Sequence, residues 1–479
     1  MALSIMLQGT ASNVGKSMLA AALCRIFRQD GYSVAPFKSW NMALNSYITR
    51  EGLEIGRAQV VQAECAGIEP TVDMQPILIK PMRGTEPQII LHGEVLNLKP
   101  GDNWKEIAGK AIKESWDHLS EQYDVIVIEG AGSPSEINIK DGDLANMFVA
   151  KLTNSPVLLV GDIDPGGVFA SVAGTNLLFD EEERNHFKGV LINKFRGYKS
   201  HLEPGLRMLE DIIHKPVVGV IPYTELDIDD EDSLTTRFTA KNSGGVDIAV
   251  IRLPHISNFT DFNALGRIPG LSIRYVKNPA ELGKPDLLIL PGTKNTMGDL
   301  LWLREIGLEE PIASLAEEGR NILGVCGGYQ MLGERLSDPK GVEIGGEMEG
   351  LALLPLNTVF EGAKTRTRVN GTFEGVCYDA YEIHMGVTRA SNGNLPSIIY
   401  KKGNISGTYL HGLFDGDAAG MLKLLKVNLP ELKDLPSYND YKQSQYDLLA
   451  DTFRANADMN KIYEIMNSFK SSFDMKITS

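Results

Sequence analysis

The stretch Leu7-Gln8-Gly-Thr-Ala-Ser-Asn-Val-Gly-Lys-Ser17 decides the fold of the N-terminal half. A phosphate loop has the form G-x4-G-K-[S/T], in which backbone N–H groups cradle phosphates and the following helix adds a favourable dipole. Gly15-Lys16-Ser17 supplies the ending. Thr10 stands where the first glycine would be, so Gly9 opens a loop one residue longer. Ser4–Gln8 reads as a buried strand, and Ser17–Arg28 has helical spacing with Asp30-Gly31 as its stop. A strand before and a helix after set this apart from an incidental turn. Thr10, Asn13, Gly15, Lys16 and Ser17 are therefore the candidate nucleotide-binding residues. Lys16 is expected on the outer phosphates of ATP, and the Ser17 hydroxyl on Mg²⁺.

Working outward, the runs Ser33–Pro36, Val125–Glu129, Val157–Asp162 and Gly189–Asn193 are continuously apolar and alternate with helical stretches. That is the grammar of a doubly wound parallel sheet covered on both faces. Val125–Glu129 delivers Glu129 to the C-terminal edge of such a sheet, where α/β folds bind ligands. Glu129 is the expected second metal ligand; a lone strand-end carboxylate is the plainer alternative.

The chain has 479 residues, 23% charged and 43% hydrophobic, with a formal net charge of −15. This size suits more than one domain. The negative surface disfavours nucleic acid and anionic membrane as partners. Cys24, Cys65, Cys326 and Cys377 form no CxxC pair, which points to a reducing compartment. No apolar run nears the roughly 20 residues needed to span a bilayer, and a cytoplasmic location is expected. Self-association into a homo-oligomer is allowed by the sequence but not specified.

After Pro222 an acidic stretch and Asn242-Ser-Gly-Gly245 mark a boundary. The expected division is 1–230 for the phosphate-loop domain, 231–246 for a linker, 247–440 for a second α/β domain and 441–479 for a helical extension. Strands are expected at Val246–Arg252, Leu287–Leu290 and Ile322–Cys326. Tyr446, Leu449, Phe453, Ile462 and Met466 recur at helical spacing, and these helices are expected to pack on the second domain.

Gly324-Val-Cys-Gly-Gly328 after an apolar strand has the form of a nucleophile elbow with Cys in place of Ser. Cysteine attacks as thiolate and needs a base and oxyanion donors. Cys326 is the candidate nucleophile, and His411, beside the strand-like Gly407–Leu410, is the candidate base. Backbone N–H groups of Gly327 and of Gly292, in Pro291-Gly-Thr-Lys294, are the expected oxyanion donors.

These blocks resemble known families. The first half is similar to the dethiobiotin-synthetase-like P-loop ligases and the second to class I glutamine amidotransferase domains. That order in one chain resembles the corrinoid amide synthases. The likeness extends through Pro36-Phe-Lys-Ser-Trp-Asn-Met-Ala-Leu-Asn-Ser46, Glu54–Gln59, Asp73–Pro76, Gly161–Ser171, Asn193–Gly197, Asn258-Phe-Thr-Asp-Phe-Asn263 and Tyr381–Gly386. It implies glutamine and a corrinoid acid as substrates. The best-matching branch of that family amidates carboxylates b, d, e and g of adenosylcobyrinic acid a,c-diamide, with ATP forming an acyl phosphate and glutamine supplying ammonia.

The resemblance also implies that Asn193 recognises the adenine edge, that Asp162 and Asp164 hold metal or the substrate carboxylate, and that Asn41 and Asn45 bind the corrinoid. Asn193 as a strand-end cap, and the two Asp as turn formers before Pro-Gly-Gly, are the structural alternatives. The chain departs from the family pattern at Trp40, where Gln is expected, and at Pro165, where Arg is expected. Leu413 stands where many class I amidotransferases carry a Glu. A Cys326–His411 dyad is expected, with the third orienting group open and Asp415 a weak candidate. The rival readings are a sister amidation by the same architecture (of the a and c carboxylates, or of another tetrapyrrole or cell-wall acid), a partitioning-type ATPase, and a binding or scaffold protein with an inactive glutaminase half.

Overall fold

The computed structural model describes residues 2–81, 87–229, 245–391, 393–394, 397–430 and 436–477. They form two compact units. One comprises Met1–Ala43, Glu54–Ile228 and Lys442–Ser479, and the other Leu44–Leu53 and Asp229–Tyr441. Most of the expected 231–246 linker lies outside the described residues; Val246 already opens the strand Val246–Ile251.

The first unit is an α/β domain around six parallel strands. Their order across the sheet is Val217–Pro222, Phe187–Phe195, Val157–Asp162, Leu3–Gly9, Val125–Glu129 and Val34–Phe37. The first strand in sequence is central, so chain connections diverge on either side of it. The crevice at its C-terminal end is where such sheets bind ligands. Leu7 pairs with Glu129 and Gly9 with Val160, which brings the phosphate loop, Glu129 and Asp162 to one edge. A smaller sheet, Trp40–Met42, Ile77–Lys80, Gln88–Leu91 and Glu94–Val95, was not evident from periodicity because its strands are so short.

The C-terminal helices, Tyr438–Asn456 and Met459–Ile477, correct one expectation. Tyr446, Leu449, Phe453, Ile462 and Met466 lie in the core of the first unit, with Ile5, Leu23 and Phe27. Polar contacts fix the same docking: Arg25 pairs with Asp447 at 2.8 Å, Lys442 with Glu64 at 2.9 Å and Arg454 with Asp30 at 2.9 Å. An apolar stripe announces that a helix packs, but not on which core.

The second unit repeats the α/β plan. Its main sheet runs Leu271–Val276, Val246–Ile251, Leu287–Leu290, Asn321–Val325, Ile405–Thr408 and Ile399–Lys402, parallel except for the last. A long antiparallel pair, Leu356–Phe373 and Val376–Ala390, dominates a separate five-stranded sheet. Among the described residues no helix is long and apolar enough to cross a membrane.

Candidate active site

At the phosphate loop, Gly15 takes φ +95°, and a Cβ there would lie 2.2 Å from Asn193 Nδ2. Both the backbone and the space demand glycine. Lys16 opens the helix Lys16–Gln29, and its ammonium donates to the carbonyls of Ala11 at 3.3 Å and Gly132 at 3.0 Å. Ser17 Oγ donates to Glu129 Oε1 at 2.7 Å. The Glu129 carboxylate is buried and is further held by Lys38 Nζ at 2.8 Å and Gln62 Nε2 at 2.6 Å.

The pair Ser17–Glu129 fits Mg²⁺, which takes few protein oxygens and completes its octahedron with phosphate oxygens and water. Lys38 and Gln62 were not singled out from sequence. Lys38 lies inside the Pro36–Ser46 block, but nothing in its spacing links it to Glu129.

Asn193 sits under the loop, where Nδ2 donates to the Val14 carbonyl at 2.8 Å. Asp162 accepts from Lys194 at 2.7 Å and from the Asp164 backbone N–H at 2.9 Å, while Asp164 pairs with Arg196 at 3.0 Å. Lys194 also donates to the Asn13 carbonyl at 2.6 Å, tying this corner to the loop. The two asparagines grouped from sequence are separated. Asn41 belongs to the first unit, where it faces Gln59 at 3.5 Å, and Asn45 belongs to the second.

In the second unit the strand Asn321–Val325 runs into Cys326, which adopts φ 50° and ψ −108°, and the helix Gly327–Met331 follows. Positive φ on a non-glycine residue is strain, and a nucleophile elbow stores it to project its side chain. Cys326 Sγ lies 3.5 Å from the Ile383 carbonyl. His411, on the short strand Leu410–His411, has Cys326 as an electrostatic neighbour on one side. On the other, its Nδ1–H donates to Asp261 Oδ2 at 2.7 Å.

The second oxygen of Asp261 accepts the Gly412 N–H at 3.0 Å, so both carboxylate oxygens serve the His411 turn. Burial alone pushes the His411 imidazole down. The Asp261 carboxylate, joined by Cys326, reverses this and raises it to about 10. A protonated imidazole beside a thiol favours the thiolate.

The carboxylate bonded to His411 Nδ1 is Asp261, where the sequence offered only Asp415 as a weak candidate. It sits on the 3₁₀ turn Phe259–Phe262, far from His411 in sequence. Its block was visible in the sequence, but no local spacing joins it to position 411. Gly292 abuts the same histidine: a Cβ there would lie 2.9 Å from His411 Cε1. Among the described residues, neither the Gly292 nor the Gly327 N–H has a hydrogen-bond partner.

Both halves of the chain match family models. Residues 5–234 match the CobQ/CobB/MinD/ParA nucleotide binding domain, and residues 247–419 the CobB/CobQ-like glutamine amidotransferase domain. Cobyric acid synthase of Ruminiclostridium cellulolyticum is 53% identical over 97% of this chain and 97% of its own length. That of Lachnoclostridium phytofermentans is 50% identical over 97% and 99%. The chain belongs to the cobyric acid synthase family. The family assignment makes it an amide ligase of cobalamin biosynthesis, with nucleotide-binding and glutamine amidotransferase domains. Cobyric acid synthase of Thermoanaerobacter sp. is similar at 48% identity over 98% of this chain and all of its own length.

Proposed function

We propose that the chain amidates carboxylates b, d, e and g of adenosylcobyrinic acid a,c-diamide to give adenosylcobyric acid, using ATP, Mg²⁺ and glutamine in the cytoplasm. The observation that carries this is the 2.7 Å bond from His411 Nδ1 to Asp261 beside the Cys326 elbow, on one chain with a phosphate loop. The full-length family relationship supplies the corrinoid.

In the glutaminase half, the Cys326 thiolate attacks the side-chain amide carbon of glutamine, forming a C–S bond. The oxyanion is received by the N–H groups of Gly292 and Gly327. His411 returns its proton to the departing nitrogen, the C–N bond breaks, and ammonia leaves a γ-glutamyl thioester. His411 then takes a proton from water, which cleaves the thioester to glutamate and regenerates the thiolate. Asp261 holds the ring and stabilises its charged form.

In the synthetase half, a carboxylate is a poor electrophile and needs activation as an acyl phosphate. Lys16, with Thr10, Asn13 and Gly15, binds the phosphates, and Lys38 and Gln62 fix the Glu129 carboxylate. Bound by Ser17 and Glu129, Mg²⁺ would neutralise phosphate charge. Asn193 shapes the loop at Gly15, and Asp162 and Asp164, held by Lys194 and Arg196, line the same sheet edge.

The test is incubation with ATP, Mg²⁺, glutamine and cobyrinic acid a,c-diamide, counting added amides by mass. Four amides are expected. No mass change with this corrinoid, alongside activity on another acid, sinks the substrate assignment.

A further inference from the structure

The chain leaves the first unit after Ala43 and rejoins it at Glu54, and Leu44–Leu53 in between belongs to the second unit. The nucleotide-binding family match, 5–234, runs straight through this excursion. Its residues nonetheless contact the glutaminase machinery.

Asn258 is the link. It adopts left-handed φ 52° and ψ 35°, a region Asn enters more readily than other residues with a Cβ, and its hydrogen bonds fix it there. Asn45 Oδ1 accepts the Asn258 backbone N–H at 2.9 Å, and Asn258 Nδ2 donates to the Ser46 carbonyl at 2.9 Å and to Tyr381 Oη at 2.7 Å. The Asn258 carbonyl in turn accepts the backbone N–H of Asp261 at 3.0 Å. Tyr381 Oη also donates to the Ser46 carbonyl at 3.2 Å, and its ring stacks on His411 with centroids 5.4 Å apart at 26°.

Two routes therefore run from residues 45–46 to His411, one through Asn258 and Asp261 and one through Tyr381. Asn45, Ser46, Asn258, Tyr381 and Asp261 are all at most 5% exposed. In so dry a network each bond is strong and each lost partner is felt.

We propose that Leu44–Leu53 is a built-in part of the glutaminase site and that Asn45 is a positioning residue, holding Asp261 and His411 in line through Asn258. This replaces the corrinoid-binding role expected for Asn45, whose Oδ1 is committed to Asn258. The proposal rests on the reading that Cys326 and His411 release ammonia from glutamine.

The test compares full-length wild type with Asn45→Ala. It follows glutamate release, amidation driven by saturating ammonium chloride, and the pH profile of Cys326 alkylation by iodoacetamide. Glutaminase kcat is expected to fall tenfold or more with the KM for glutamine within threefold. The alkylation profile is expected to move to higher pH, and ammonium-driven amidation and the corrinoid KM to stay within twofold.

A raised corrinoid KM with ammonium-driven amidation falling in step assigns Asn45 to the acid's site and overturns the proposal. Glutaminase within twofold of wild type reduces the excursion to a strap and also overturns it. Wild type that makes no glutamate refutes the underlying reading. If Asn45→Ala does not fold, Tyr381→Phe, which deletes only a hydroxyl, is held to the same outcomes.

Discussion

The Asp261→Asn variant isolates what one buried carboxylate does for the glutaminase. Asn at 261 keeps an acceptor for the Gly412 N–H but removes the charge opposite His411 Nδ1. With the carboxylate present, His411 is raised from 6.5 to about 10. Without it, burial acts unopposed by its main partner and pushes the imidazole back down. Removing one member of a buried charge pair costs about 3–5 kcal/mol, and where that cost falls on the charged transition state, at about 1.4 kcal/mol per decade it is a loss of roughly 10²–10⁴ in rate. Glutamate release at pH 7.5 is expected to fall by that factor, while ammonium-driven amidation, counted by mass, stays within twofold of wild type.

The same variant carries a stability signature. His411 gains proton affinity on folding, so its contribution is fully present below about pH 6.5 and is lost as pH rises toward about 10. The Tm difference between wild type and Asp261→Asn should therefore narrow from pH 6.5 to 10. Glutaminase within threefold of wild type, or a Tm gap that widens with pH, refutes the reasoning.

Other changes separate the halves. Cys326→Ser is expected to lose glutamine-driven amidation by more than about 10³-fold while ammonium-driven amidation persists; loss of both in a folded protein contradicts the division of labour. Lys16→Ala should lower amidation from either nitrogen source by about 10²-fold or more, measured as ADP release and added mass. Phe453→Ala, fully buried against the first core, should cost about 3–5 kcal/mol in urea unfolding. A cost under about 1 kcal/mol would mean that the C-terminal helices dock only loosely.

Much of the fold was legible because it depends on local signals. Val125–Glu129 and Val157–Asp162 are continuous apolar runs, and buried parallel strands leave that trace. Lys16, Ser17 and Cys326 are read from turns only a few residues long. What sequence could not give is set by long-range closure. Asp261, on a 3₁₀ turn, reaches His411, and Lys38, just past a strand end, reaches Glu129, only through the folding of segments far apart in sequence. The helical stripe through Tyr446 and Phe453 was clear, but its partner surface was not. The two long strands 356–373 and 376–390 lack a strict alternation, since their burial changes along their length.

The docking of the C-terminal helices also bears on how the chain comes into being. Ile5, Leu23 and Phe27 are made well before Tyr446, Phe453 and Met466, yet they share a core with them. At roughly 5–20 residues per second, the second half takes on the order of ten to fifty seconds to emerge from the ribosome. For that interval the nascent N-terminal sheet carries an apolar face whose cover has not been synthesised. The nucleotide half therefore cannot finish folding first, although it is translated before the second half, and its completion waits on the helices Tyr438–Asn456 and Met459–Ile477.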